Sequence, residues 1–338
     1  MVTMEDIAKR LGVTKGTVSK AINGASDISE AMHRTVLETA VEMGYSRVSR
    51  GGKSRRVCVL IANMAYRKSD DFGSDMILGF RKMAEPAGFQ VDVIPLTKEL
   101  QEQYTYDEYM LANGYEGAFL LGLSFRERWM EGFQNCRTPA VLYDCPALMN
   151  PVVTSIGIDN DEGMNFAVVW LKELGHRRIG YLGGALGSHV YQVRYDAFFR
   201  AMRENGLAVT KEMAGVAFLA ADCLKEHFQR LMDLNCTAVI CSHDLLAYAV
   251  MIHCGECGIR IPEDLSIIGI DDLPLCRHTQ PPLSSIRQDR LNLGRSAFYA
   301  VSSQLSHVPV SSVTLHAELI RRESADAPPA VEREEGAR

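Results

Sequence analysis

The sequence has 338 residues, 47% of them hydrophobic and 23% charged, enough to bury more than one globular core. It contains no run of eighteen apolar residues, which excludes a transmembrane helix. Its opening Met1–Asp6 stretch has neither a basic nor an apolar leader segment, so with nine scattered cysteines a cytoplasmic protein with free thiols is expected.

The formal net charge of −6 is unevenly spread. The first 56 residues carry ten Lys and Arg against six Asp and Glu, and the remainder carries 26 against 36. A basic arm on an acidic body suits a nucleic-acid-binding end, although a solvated charged surface gives the same numbers.

Helical spacing begins at once. Thr3 with Asp6 three residues on forms a capping pattern, and Ile7, Ala8 and Leu11 share one face up to Gly12. Thr14 opens a second helix that buries Val18, Ala21 and Ile22 and stops at Asn23-Gly24. Ser29 starts a third, in which Met32, Val36, Leu37 and Ala40 repeat until Gly44. Two short helices joined by a glycine-containing turn form a helix-turn-helix, whose second helix enters the DNA major groove. Its outer face here offers Lys15, Gly16, Thr17, Ser19 and Lys20; lysine can reach guanine O6/N7, and hydroxyls reach phosphate or base edges. The spacing alone also fits a small helical bundle that binds protein.

The run Thr3-Met4-Glu5-Asp6-Ile7-Ala8, then Gly12 to Asn23, then Val36-Leu37 to Met43-Gly44-Tyr45, closely resembles the DNA-binding headpiece of the lactose-repressor (LacI/GalR) family. That resemblance implies base reading by Lys15, Gly16 and Lys20, with Thr14, Thr17 and Ser19 near phosphate. Lys20 stands where the family usually has arginine, and it lacks arginine's planar two-toothed contact to guanine. The headpiece is expected over residues 1–45, followed by a basic linker over 46–56.

That linker departs from the family pattern. It has eleven residues, no leucine to wedge into the minor groove, and a Gly51-Gly52 pair that disfavours helix. Five of its residues are basic, and Arg47 and Arg50 are expected to contact DNA by charge, with less bending of the operator than in relatives.

From Val57 the chain alternates. Strands are expected at Val57–Ala62, Phe89–Pro95, Ala118–Leu123, Ala140–Asp144, Arg178–Gly183, Ala238–Ser242 and Leu265–Asp271. Helices are expected at Asp75–Glu85, Asp161–Leu174, Tyr191–Glu204, Cys223–Met232 and Leu245–Cys254. Such alternation means parallel α/β sheets, and its length predicts two lobes. Carboxyl ends of parallel strands are where ligands bind, which singles out Asp144, Asp271 and His243-Asp244, with Arg194 on the helix after Gly183-Gly184. Phe72 and Phe218 are candidates to stack on a sugar ring. Read alone, each acid is better taken as a helix N-cap than as a ligand contact.

The segments Gly175-His176-Arg177-Arg178-Ile179-Gly180, Arg194 to Phe198, Pro262 to Asp272, Pro282 to Ile286 and Leu293-Gly294 resemble the same family's effector domain, a type I periplasmic-binding-protein fold. The resemblance implies three crossings between lobes, placed near Ile158, Gln288 and His316. This divides residues 57–324 into lobe 1 (57–158 and 289–316) and lobe 2 (159–288 and 317–324), with a disordered tail over 325–338. It also implies effector contacts at Arg194, Asp271, Asp144 and Gln288. His243 replaces the family's asparagine, and would make effector affinity pH-dependent near pH 6–7.

Other chemistry is weaker. Ser242-His243-Asp244 has the residue types of a hydrolase triad, but sequence neighbours are expected to diverge. Gly180 to Gly187 lacks dinucleotide-loop spacing and is read as a tight turn. Cys254 and Cys257 with His253 could be half a metal site, against the plainer reading of packed thiols. The expectation is therefore a regulator with no cofactor, metal or catalytic residue. It pairs as a homodimer on a near-palindromic operator, under control of a sugar-like effector bound between the lobes.

Overall fold

The computed structural model describes residues 2–46, 55–124 and 127–329. Arg47, Arg50 and most of the expected linker lie outside the described residues, as do tail residues 330–338.

Helices α1 (Met4–Leu11), α2 (Lys15–Ile22) and α3 (Glu30–Met43) form the headpiece. Each start is held by a side chain that accepts a hydrogen bond from an orphan backbone amide. Thr3 accepts from Asp6 N in a full capping box, Thr14 from Thr17 N, and Ser29 from Met32 N. Gly12 and Gly44 end α1 and α3 in the left-handed region that favours glycine. The apolar stripes meet in a core of Ile7, Val18, Ala21, Ile22, Val36, Leu37 and Ala40.

Among the described residues, the rest of the chain forms two six-stranded sheets. The first uses β1 (Arg55–Ile61), β2 (Phe89–Pro95), β3 (Ala118–Leu121), β4 (Ala140–Tyr143) and β5 (Val153–Ile158), with α4 (Phe72–Ala84), α5 (Lys98–Gln103), α6 (Tyr106–Asn113) and α7 (Trp129–Gly132) between them. The second is built over α8 (Asn160–Leu174), β6 (Ile179–Gly184), α9 (His189–Glu204), β7 (Ala214–Ala217), α10 (Ala220–Cys223), α11 (Gln229–Asp233), β8 (Ala238–Cys241), α12 (Asp244–Cys257), β9 (Ser266–Asp271) and β10 (Ser284–Arg287). The chain then returns through α13 (Arg290–Leu305) and β11 (Ser312–Leu315) to the first sheet and ends with β12 (Glu318–Ile320) in the second. Strand orders are β11-β5-β4-β3-β1-β2 and β12-β10-β9-β8-β6-β7. Strands β1 to β5 pair in parallel, as do β6 to β10, while β12 joins β10 antiparallel.

The chain divides into one unit of residues 1–156 and 290–313, and another of 157–289 and 314–338. In the first unit α4 and α13 touch through glycines. A methyl on Gly79 would overlap the Leu291 carbonyl, and one on Gly294 would overlap that of Met76. Beneath them Phe80 stacks on Phe119 with ring centroids 5.7 Å apart. Leu111 of α6 joins the headpiece core, and His33 of α3 meets the edge of Tyr104.

Three expectations change. Strand β1 begins two residues early, so Arg55 and Arg56 are not linker cations. Arg55 pairs with Glu116 at 2.7 Å and lies over Phe89, while Arg56 pairs with Asp92 at 2.5 Å and lies over Tyr115. The expected disordered tail does not begin at Ala325. Ala325 is buried, and the Asp326 carbonyl accepts from Ser266 Oγ at 3.1 Å and faces His176 Nε2 at 2.8 Å. Gly180 to Gly184 is strand rather than turn, because its missing side chains admit Leu231 beside Gly180 and the Tyr191 ring beside Gly184.

Candidate functional site

On the headpiece, Lys15, Gly16 and Lys20 are exposed on α2, and Thr17 and Ser19 are half-buried beside them. Thr14 Oγ1 lies 2.9 Å from Thr17 Oγ1, so both hydroxyls serve the helix start as well as any partner. Gly16 has no packing duty, since a methyl there would meet nothing closer than Thr14 Oγ1 at 3.5 Å. Lys15 reaches Glu5 at 3.6 Å, and Lys20 donates to Asp27.

In the second unit the predicted residues gather at the carboxyl edge of one sheet. Asp271 is the last residue of β9 and takes φ of 116°, a conformation that opposes an L side chain. Its Oδ1 accepts from Gln288 Nε2 at 2.6 Å and lies 3.4 Å from Arg194 Nη2. Arg194 is only 3% exposed; its Nε donates to Asn160 Oδ1 at 3.1 Å and its Nη1 to the Ser242 carbonyl at 2.5 Å. A buried guanidinium committed to three elements is a rigid donor, and breaking it would strand the Asp271 charge.

His243, before α12, stands beside this group with Nδ1 2.9 Å from Ser242 Oγ and its ring 5.6 Å from that of Tyr191. Burial and the neighbouring Arg194 push its imidazole to a lower pKa, against the pull of Asp271. Its protonated form is therefore less favoured than that of an ordinary histidine. Phe218, just past β7, is 89% exposed and packs no core.

The neighbouring acids are structural. Asp244 is buried; its Oδ1 accepts from Ser285 Oγ at 2.6 Å and its Oδ2 from Leu273 N at 2.7 Å. Burial first, and Asp271 second, raise its pKa to about 7. Asp272 is clamped by Arg287 at 2.8 Å and Arg322 at 2.6 Å. Ser242 and His243 do meet, contrary to the sequence expectation, with the His243 Nδ1 within hydrogen-bond distance of the preceding hydroxyl. Asp244 points elsewhere, so no triad forms.

In the first unit Phe72 opens α4, its ring 6.1 Å from that of Tyr143 and 5.5 Å from the Arg290 guanidinium. Arg290 also reaches Asp75 at 3.3 Å, and Asp144 follows β4 with φ of 50°. Asn160, Tyr191, Asp75 and Arg290 escaped the sequence reading. Asn160 follows β5 and Arg290 opens α13, two elements whose patterns did not stand out.

Cys254 is buried in the second core, where its thiol is pushed up to about 12, while Cys257 is exposed 3.7 Å from His253 Nε2. Among the described residues no group of three His, Cys, Asp or Glu is arranged to hold a metal, and no helix is long and apolar enough to cross a membrane.

Residues 3–47 match the family model described as bacterial regulatory proteins, lacI family, and residues 168–325 match the periplasmic binding protein-like domain. Headpiece and sheets together define a helix-turn-helix transcription regulator of the DNA-binding class. The chain is 30% identical over 340 residues to the HTH-type transcriptional repressor CytR of Escherichia coli (strain K12), covering 97% of each. It belongs to the lacI family of bacterial regulatory proteins. It is also 25% identical over 331 residues to the HTH-type transcriptional repressor PurR of Aliivibrio salmonicida, covering 96% of this chain and 99% of that protein. Its fold is shared with a transcriptional regulator CelR–cellobiose complex (TM-score 0.69, 24% identity, 96% of this chain and 100% of that one). It is shared also with the Lac repressor dimer bound to operator and the anti-inducer ONPF (TM-score 0.66, 22% identity, 96% and 99%).

Proposed function

We propose that this chain is a repressor that pairs as a homodimer on a near-palindromic operator and is controlled by a small molecule carrying vicinal hydroxyls, a sugar or sugar derivative. One helix-turn-helix reads too few base pairs for a genomic site, whereas a two-fold pair of α2 helices reads two half-sites. Thr14, Lys15, Gly16, Thr17, Ser19 and Lys20 face the operator, joined by Arg47 and Arg50.

The observation that carries the effector reading is Asp271, strained at a strand's carboxyl end and gripped by Arg194 and Gln288. A carboxylate beside a fixed guanidinium offers an acceptor and donors at the spacing of paired hydroxyls. His243 adds a ring nitrogen, and Phe218 an apolar face for the C–H side of a sugar.

A thermal-shift screen of free sugars against nucleosides tests this, because both carry vicinal hydroxyls but only the latter a planar base. A stabilising sugar whose effect is lost in Gln288→Met and Phe218→Ala supports the reading. Stabilisation by a nucleoside alone replaces the sugar. DNA binding that is unchanged by the stabilising compound overturns effector control.

A further inference from the structure

The two lysines on the reading helix are not equivalent. Lys15 meets Glu5 loosely at 3.6 Å, whereas Lys20 donates directly to Asp27 across the turn between α2 and α3. That turn is tied to the helix it serves. Ala25 N donates to the carbonyl of Lys20 itself at 3.0 Å, Asn23 Nδ2 to the Ser19 carbonyl at 2.7 Å, and Ile28 N to the Ala25 carbonyl at 3.2 Å. Ile28 packs on the headpiece core and Ser29 caps α3, so the Asp27 backbone is fixed at both ends.

We propose that Asp27 is a positioning residue for base readout by Lys20, holding the ammonium at one place on the α2 face and repelling phosphate that approaches without a matching base. This rests on the reading that Lys20 faces base edges. Lysine is a compact charge on a flexible stem, and it loses much rotamer freedom when it makes one directed contact. A carboxylate anchored nearby absorbs that loss before DNA arrives. The ammonium has three donors, so one can stay on Asp27 while the others turn to guanine O6 and N7. The pair is more than half exposed at both ends, where ion pairs add little to fold stability, so its removal should leave the headpiece folded. Asp27 meanwhile places a negative charge beside the path of the DNA backbone, which weakens binding that depends on phosphate alone. The tether thus restores direction to a lysine that lacks the planar fork of arginine.

The test uses the full chain as wild type, Asp27→Asn, Lys20→Met and the double variant. The probes are the tightest duplex obtained by in vitro selection with the wild type and one random duplex of equal length, from about 50 to about 200 mM salt. Asp27→Asn is expected to tighten binding to the random duplex and lower the selected-to-random affinity ratio about tenfold, with base preference broadened at one position per half-site. In the Lys20→Met background, Asp27→Asn is expected to lower that ratio much less, because only the phosphate repulsion is then left to lose. An unaltered ratio in Asp27→Asn, with a loss in Lys20→Met, overturns the tether alone. An equal fall in both backgrounds also overturns it, since Asp27 would then act without Lys20. No change in Lys20→Met overturns the base-facing reading and the tether with it.

Discussion

Asp244→Asn isolates the cost of one buried charge. Asp244 is enclosed under the carboxyl edge of the second sheet, so tightly that a methyl on Gly269 would overlap its Oδ1. Burial raises its pKa to about 7, with Asp271 adding to the shift, against 3.8 for the unhindered group. A carboxyl whose folded pKa is raised contributes stability in full below its unfolded pKa, and loses it as pH rises through the folded value. At about 1.4 kcal/mol per pKa unit, the loss between pH 5.5 and 8.5 is about 2 kcal/mol. Asparagine keeps the geometry, because its oxygen accepts from Leu273 N and its amide donates to Ser285 Oγ, and it carries no charge. His176 runs the other way. Burial lowers its pKa to about 4, so its contribution is present above the ordinary value of 6.5 and is lost as pH falls through 4. The readout is therefore the difference between variant and wild type in urea unfolding at the two pH values, followed by hydrogen exchange in β8 and β9. The variant should gain about 2 kcal/mol on the wild type between pH 5.5 and 8.5. Equal destabilisation at both pH values would refute the reasoning.

Glycines give a contrast of sign. Gly294→Ala should destabilise the first unit by about 1–3 kcal/mol, because overpacking a backbone contact outweighs the helix propensity gained, whereas Gly255→Ala, in the last turn of α12 with nothing within 4 Å, should stabilise by up to about 0.5–1 kcal/mol in thermal melts. Arg194→Met should cost the second unit about 3–5 kcal/mol in urea titration by leaving Asp271 buried without its cation, and should abolish any effector-induced thermal shift. Thr3→Ala removes a capping box and should lower headpiece stability by about 1 kcal/mol, seen as faster amide exchange in α1 with no change in either sheet.

The headpiece was readable in the sequence because its determinants are local. Thr3, Thr14 and Ser29 each cap through a bond spanning three residues, and Gly12 and Gly44 stop helices by their own backbone freedom. Seven strands announced themselves as apolar runs. The missing ones break that rule for long-range reasons. Ser284 and Ser285 in β10 are polar yet buried, their groups satisfied by Ser324, Arg322 and Asp244 from other parts of the chain. In α13, Gln304 is buried against Thr154, 150 residues away, and Gly294 is a contact point rather than a breaker. The expected helix at Cys223–Met232 exists, but a π-helical turn at Leu224–Phe228 divides it, a break that apolar spacing does not register.

The chain's order of residues was enough to settle the headpiece helices, the alternation of sheets and helices, and a set of polar groups at strand ends. Roles within that set were decided only by folding. Asp244 and Asp271 look alike in sequence, each polar at the end of an apolar run. One is enclosed and hydrogen-bonded into the sheet by Ser285 and Leu273, and the other is held in a strained backbone beside Arg194. Capping and periodicity act over three or four residues and are written along the chain. Burial and charge pairing act between residues tens of positions apart, and exist only once the sheet brings them together.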